Sequence, residues 1–401
     1  MSSSEKAPHA SFSLSRRGFL LGLGATVTLG GTRAAFAQAP GERRLVVVLL
    51  RGALDGLYAV QPYGDPAFAA LRGPLALPEP GGENGTLDLG GRFGLHPAFA
   101  NLHAMYAANE ALVVHAVAGP YRSRSHFEAQ DLLEAGAEQR LTSGWLNRAL
   151  QAMGSGAQAR PGLAVGTGVP LLLRGPAPVG AYSPPGLDRP SADLIHRLAE
   201  LQDSDRRLGA AFREGMRARG FAQDTIGTDT DPERASFPRL AAAAGRLMAE
   251  RGGPRVAALE IGGWDTHAQQ ANRITGPIRA LDAGLAALKT ALGPHWETTA
   301  VLVTTEFGRT ARANGNLGTD HGTGGVAFLL GGAVAGGKVV ADWPGLSSDT
   351  LFENRDLQPT ADVRAIAKAA LKDHLRLTDR AVAAAFPGSD GATAMRGLLR
   401  A

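Results

Sequence analysis

Asp265-Thr266-His267 is the triplet whose spacing most directly suggests chemistry. In an extended chain, residues two apart point to one face, so both side chains can reach a single cation. They could instead act locally, with the Asp accepting amides after Gly262-Gly263 and the His packing beside Trp264. Asp320-His321-Gly322 is adjacent rather than alternating; one of the pair can bind a metal while the other orients a ligand or the substrate. Glu306 closes the run Thr299 to Thr305, where an unpaired carboxylate would be expensive. It either pairs with Arg309 or goes to a metal, leaving the planar fork of Arg309 free for a tetrahedral oxyanion. Asp55, with Gly52 and Gly56 around it, either caps a turn or is the first carboxylate of a site. Asp55, Asp265, His267, Glu306, Asp320 and His321 make an oxygen-rich, nitrogen-containing and sulfur-free donor set. Such a set suits zinc, manganese, calcium or magnesium, as one ion or two.

A hydrolytic site also needs a nucleophile. The sequence has no cysteine, so no thiolate can serve as ligand or nucleophile. Tyr121-Arg122-Ser123-Arg124-Ser125-His126 follows an apolar run and leads into a helix, which gives Ser125 free amides nearby and two arginines to attract an anion. Two readings stand. Ser125 ionises beside a metal and attacks phosphorus or sulfur, with Arg124 or Arg309 holding the leaving anion; or a metal-activated water attacks and Ser125 or His126 only binds substrate. Ser125 as an ordinary helix cap is the alternative to both. His96, His103 and His115 lie in or beside apolar segments and read as structural. HExxH, GxSxG and the phosphate-loop patterns are absent.

These residues converge only if the chain builds a suitable frame. Leu45 to Leu50, Leu112 to Val117, Val256 to Ile261, Thr299 to Thr305 and Val326 to Leu330 are continuous apolar runs, expected as strands covered on both faces. Leu163 to Val165 and Pro170 to Gly175 are expected as two shorter strands, and 176–190 as a loop. Helices alternate with them, among them Ala98 to Asn109, Phe127 to Ala135 and Ile278 to Leu292. That pattern predicts an α/β sandwich with a mostly parallel central sheet. The stretch 62–93 is expected as a surface excursion, and 192–250 as a helical insertion or cap. In a mostly parallel sheet the carboxyl ends of the strands share an edge, where the acids and imidazoles would meet.

The first 39 residues are expected to stand apart from a single domain spanning 40–401. Arg16-Arg17-Gly18-Phe19-Leu20, a mild apolar run from Leu20 to Gly30 and Ala35-Phe36-Ala37 have the order of a signal peptide, cut after Ala37 or Ala39. The paired arginines resemble a twin-arginine export signal, which implies the twin-arginine translocase as partner and a periplasmic or extracytoplasmic destination. The apolar run is too short to span a bilayer. Removal of residues 1–37 takes Lys6, Arg16, Arg17 and Arg33 against Glu5, so the net charge falls from +4 to +1. A chain so near neutral has no bulk electrostatic pull on nucleic acid.

The leader, Leu50 to Leu57, Arg124 to Gln130, Gly263 to His267, Thr305 to Arg309 and Gly318 to Gly322 resemble, in that order, the motifs of a large family of exported bacterial proteins of unknown function, number 1501. That family is related to the alkaline phosphatase and sulfatase superfamily. The resemblance covers nearly the whole mature chain and implies an alkaline-phosphatase-like three-layer sandwich with a metal cluster on the carboxyl edge of its sheet. By position, Asp55 matches the superfamily's first-strand metal aspartate and Ser125 its nucleophile. Asp265 matches the aspartate of an Asp-x-x-x-His pair, with His267 two residues on instead of four, and His321 matches the late histidine. Glu306 and Phe307 stand where Asp-His is usual, so one histidine of a two-metal site is replaced. Residues and resemblance together point to an exported, metal-dependent hydrolase of phosphate or sulfate esters, small or glycan-borne. The rival reading is a non-catalytic periplasmic binding or assembly protein that contains a metal.

Overall fold

Side chains alternate across strand β1, Arg44–Leu50. Val46, Val48 and Leu50 enter one apolar cluster, and Leu45, Val47 and Leu49 enter another. Both faces of the strand are therefore core, which is why its sequence is apolar without a break. The computed structural model describes residues 43–154, 162–166, 168–183 and 236–400. The expected leader, 1–39, and the first helix of the expected insertion, 192–219, lie outside the described residues.

In chain order the other sheet strands are β2 Ala111–Ala118, β3 Gly162–Val165, β4 Val179–Tyr182, β5 Val256–Ile261, β6 Thr299–Thr305, β7 Gly325–Leu330, β8 Lys338–Val340 and β9 Ala361–Asp362. Among the described residues they form one sheet in the order β8, β2, β7, β6, β1, β5, β3, β4, with β9 also paired to β2. Only β7 runs antiparallel to its neighbours, β2 and β6. The register aligns Leu50 with both Ile261 and Thr305, so the chain leaves β1, β5 and β6 side by side. Because β7 is reversed, its amino end opens on that same edge.

The helices are α1 Gly56–Ala59, α2 Phe68–Arg72, α3 Ala100–Ala107, α4 His126–Ala135, α5 Trp145–Met153, α6 Phe237–Ala249, α7 Gln270–Leu292, α8 Val363–Ala369 and α9 Asp379–Ala385. Helices α3, α6 and α7 supply Leu102, Phe237, Leu247, Ile278 and Leu285 to the core on one face of the sheet. On the other face, α5, α8 and α9 supply Trp145, Leu150, Ile366 and Val382. The result is an α/β sandwich with a large, mostly parallel sheet flanked by helices. Residues 237–249, the second half of the expected insertion, belong to the layer covering the sheet. None of the described helices is long and apolar enough to cross a membrane.

Two local expectations change. Residues 170–175 do not form a strand: Leu171–Leu173 is a 3-10 turn, and the edge strand is β4, inside the stretch read as a loop. Glu134 accepts the Leu172 amide at 2.8 Å and Asn147 donates to the Leu173 carbonyl at 2.8 Å, so side chains take the backbone groups that a ladder would use. The stretch 62–93 is not merely superficial either. It contains α2, and its Arg72 is fully buried.

His115 and His374 explain an expected acid sensitivity. The Nε2 of His115 donates to the Val60 carbonyl at 2.9 Å while its Nδ1 accepts the Ala116 amide at 2.8 Å. That tautomer leaves no position for a second proton. Burial pushes both rings down to about 4. The unfolded chain then binds the extra protons first, so stability is complete above about pH 6.5 and falls as pH drops toward 4. The slope is up to about 1.4 kcal/mol per pH unit for each ring. Urea unfolding with excess chelator at pH 7.5, 5.5 and 4.5 should show a falling midpoint, and a flat profile would contradict this account.

Candidate metal centre

The loop after β5 is pinned by Trp264, which is buried and donates from its indole nitrogen to the Ile261 carbonyl at 3.0 Å. Thr266 turns inward and donates to Gln270 Oε1 at 3.0 Å. Its neighbours on either side, Asp265 and His267, are thereby turned outward together, as their spacing predicts. After β6 the chain runs back along the segment leading into β7. The amide of Gly322 donates to the Gly308 carbonyl (2.8 Å) and that of Thr310 to the Asp320 carbonyl (3.0 Å). Glycine is needed at this crossing, because a Cβ on Gly308 would lie 2.0 Å from the Gly324 carbonyl oxygen and one on Gly322 2.3 Å from the Arg309 backbone. The crossing sets His321 beside Asp265 and His267. His126, the first residue of α4, enters from the far side.

Three donor atoms meet there, and His267 lies beside two of them. His321 Nε2 lies 3.0 Å from His126 Nε2, 3.0 Å from His267 Nε2 and 3.2 Å from Asp265 Oδ1. Asp265 Oδ1 is 3.0 Å from His267 Nε2 and 3.6 Å from His126 Nε2. A tetrahedral ion with ligands at 2.0–2.1 Å separates its donors by roughly 3.3–3.4 Å. His126, Asp265 and His321 form a cluster able to coordinate a divalent metal, and His267 Nε2 lies beside two of its members, Asp265 and His321.

The opposite ring nitrogens define what these donors carry. His126 Nδ1 faces Glu306 Oε1 at 2.8 Å, His321 Nδ1 the Arg124 carbonyl at 3.0 Å, and His267 Nδ1 Asp320 Oδ1 at 3.3 Å. Each partner is an acceptor, so each Nδ1 bears a proton, and in the neutral ring each Nε2 presents a lone pair. With the rings neutral, these lone pairs and the Asp265 carboxylate oxygen offer a cation, or a shared proton, a common set of acceptors.

Electrostatics reinforce the arrangement. Burial alone would raise the Asp265 carboxyl, but the Arg309 guanidinium at 2.5 Å, with His267 and His321, outweighs it and holds the group at about 2. Glu306 is likewise held at about 2: burial opposes its charge, and hydrogen bonds from His126, Gln130 and Thr305 prevail. Its hydrogen bond lifts His126 above the ordinary histidine value, so an entering ion displaces a proton. Burial and the neighbouring His126 push His321 down. Around the cluster Ala53, Arg124 and Gln269 adopt left-handed φ of 60°, 62° and 50°, a conformation costing roughly 1–2 kcal/mol at each non-glycine residue. At Arg124 it presents the carbonyl that His321 needs.

Asp265, His267 and His321 therefore come together as the sequence suggests. The other expected ligands do not join them. Asp55 caps α1 and is buried against Arg72 at 2.5 Å and Gln270 at 2.7 Å, so its oxygens are consumed by the framework. Glu306 accepts from the Gly52 amide, Gln130 and His126 on Oε1 and from Thr305 on Oε2; it holds a ligand in place. Asp320 does the same for His267. Arg309 is not free for an oxyanion, since its donors go to the carbonyls of Gly52, Ala53, Trp264 and Thr319 and to Asp265. The Arg124 guanidinium is taken by Asp356 and Glu353. Ser125 precedes α4 half-buried and makes no side-chain cap bond. Phe307 packs against the rings of His126 and His321 at 4.9 and 5.2 Å. His126 is the donor that sequence reasoning left as a substrate contact. Its signal is His126 and Gln130 four apart on one helical face, both reaching Glu306.

Replacing Glu306 with Gln removes the carboxylate behind His126 while preserving shape. A 10- to 100-fold loss of ion affinity is expected, measured by chelator competition; unchanged affinity would mean that Glu306 does not orient the ligand.

No curated protein matches the chain. Among solved structures, one titled "Crystal structure of Ps i-CgsB in complex with k-i-k-neocarrahexaose" is 10% identical, with a TM-score of 0.32 over 72% of this chain and 65% of that one. The chain thus spans less than two thirds of that protein's length. The C-terminal periplasmic domain of EcEptC from Escherichia coli, in complex with Zn, is 9% identical with a TM-score of 0.39, over 88% of each chain. The phosphonate monoester hydrolase of Agrobacterium radiobacter is 12% identical with a TM-score of 0.33, over 84% of this chain and 74% of that one. At such scores these likenesses say nothing about substrate. The profile of the family described as "Protein of unknown function (DUF1501)" matches residues 106–385, which include the whole candidate centre, and the chain belongs to that family.

Proposed function

We propose that this protein is an exported, zinc-dependent hydrolase of phosphate or sulfate esters, with one ion held by His126, Asp265, His267 and His321. The observation that carries the reading is the set of three imidazoles, each fixed through Nδ1, whose Nε2 lone pairs meet one carboxylate oxygen. Three nitrogens and one oxygen favour zinc over calcium or magnesium, which prefer all-oxygen shells. A bound divalent ion supplies Lewis acidity toward an ester oxygen and lowers the pKa of a nearby hydroxyl or water. The donors are partly exposed, which leaves the cluster open to a ligand. Ser125, directly before His126 and free of a capping role, is the attacking group in this reading. With Arg309 and Arg124 committed, the anion falls in this reading to Arg122, an exposed arginine whose guanidinium, among the described residues, donates to the carbonyls of Gly119 and Tyr121. The leader carries the folded chain through the twin-arginine translocase to the periplasm.

One observation favours the rival reading of a metal-containing binding or assembly protein: four protein donors are enough to fill a tetrahedral shell. Elemental analysis of the mature protein, with turnover of aryl phosphates and aryl sulfates by wild type and Ser125→Ala, separates the two. One ion per chain, with turnover abolished by the substitution, is expected for the hydrolase. One ion and no turnover on any ester supports the binder, and no ion in metal-replete medium defeats both.

A further inference from the structure

Large apolar side chains are rarely exposed among the described residues. Among the described residues two stand out, Phe127 at 82% exposure and Leu317 at 45%; one directly follows His126 in the chain and the other comes shortly before Asp320 and His321. Phe127 follows His126 in the first turn of α4. Leu317 lies in the loop 314–318, which is tied to the opposite bank. There Asn314 Nδ2 donates to the His267 carbonyl (2.9 Å) and to Asp320 Oδ1 (3.1 Å), and the Leu317 carbonyl accepts the Gln270 amide at 2.8 Å. Leu317 also takes a left-handed φ of 56°, although glycines stand nearby at 315 and 318. A branched side chain is thus held, at a backbone conformation that glycine would adopt without strain, where it projects into solvent.

Isolated exposed apolar residues are commonplace, but these two come from distant parts of the chain, one next to His126 and the other in the loop tied to His267 and Asp320. Apolar area at the margin of a polar site is area that a ligand covers. We infer that Phe127 and Leu317 form an apolar lip that takes the hydrophobic part of the substrate, so that the ester is one of an aryl or alkyl alcohol. The inference rests on the hydrolase reading and specifies its substrate class.

Phosphonates test the lip without turnover. Calorimetry on the zinc-loaded protein would compare phenylphosphonate with methylphosphonate for wild type, Phe127→Ala, Leu317→Ala and the size-retaining Phe127→Leu. Wild type should prefer the phenyl compound by about tenfold, the effect of withdrawing roughly 60 Å² of apolar surface from water. Either alanine should remove most of that preference and leave methylphosphonate affinity unchanged, while Phe127→Leu keeps part of it. Equal affinities in wild type, or a preference that survives both alanines, would overturn the lip. A preference of the expected size without turnover of phenyl phosphate or phenyl sulfate would leave the lip standing and refute the hydrolase. If neither phosphonate binds the loaded protein, both readings fall.

Discussion

His321→Ala should abolish stoichiometric ion binding, with affinity falling by more than the roughly 10- to 100-fold expected for loss of a supporting residue. His321 is the hub of the centre, its Nε2 lying within 3.2 Å of the donor atoms of His126, His267 and Asp265. No other donor touches all three so closely. The strand crossing that carries His321 is made by backbone groups of residues 308–310 and 320–323, so the fold should survive loss of the ring. Chelator competition and elemental analysis give the answer directly. An ion retained with undiminished affinity would place the metal elsewhere.

Asp55 should behave in the opposite way, with a large effect on folding and a small one on the ion. Its carboxylate and the Arg72 guanidinium are 1% and 0% exposed, and Gln270 bridges Asp55 to Thr266 and Thr319. Removing one member of a buried ion pair leaves a charge without compensation, at about 3–5 kcal/mol. Asp55→Ala should therefore lower the denaturation midpoint strongly. Replacing both partners with apolar residues of similar volume, as in Asp55→Leu with Arg72→Met, should recover much of that loss, because no charge remains stranded. Asp55→Asn, the mildest change, should still carry one ion per chain. Loss of the ion from Asp55→Asn at unchanged stability would restore Asp55 as a ligand.

The contrast between these two acids shows where sequence reading reaches its limit. Asp55 and Asp265 both follow an apolar strand and a glycine, and nothing local tells them apart. Asp55 is followed by Gly56-Leu57-Tyr58, which turns at once into helix and brings the carboxylate under its own amides. Asp265 sits behind Trp264, whose burial forces the next residues outward. The deciding partner of Asp55 is Arg72, contributed by a segment whose Gly and Pro content reads as surface. Glu306 was legible as important but not in its role, because the donors that occupy it come from residues 52, 126 and 130.

Much was settled by the amino-acid order alone. Unbroken apolar runs require strands covered on both sides, and such strands, alternating with helices, require a layered sandwich with a shared carboxyl edge. Alternation across Asp265-Thr266-His267 likewise fixed two side chains on one face, since a period of two is a property of extended backbone. What folding decided was the allocation of partners. Whether a carboxylate faces a cation, an imidazole N–H or a guanidinium depends on groups tens or hundreds of residues away, which local pattern cannot report. His126 became a donor, and Glu306 and Asp320 its and His267's supports, only when the reversed strand β7 and helix α4 closed over the edge of the sheet.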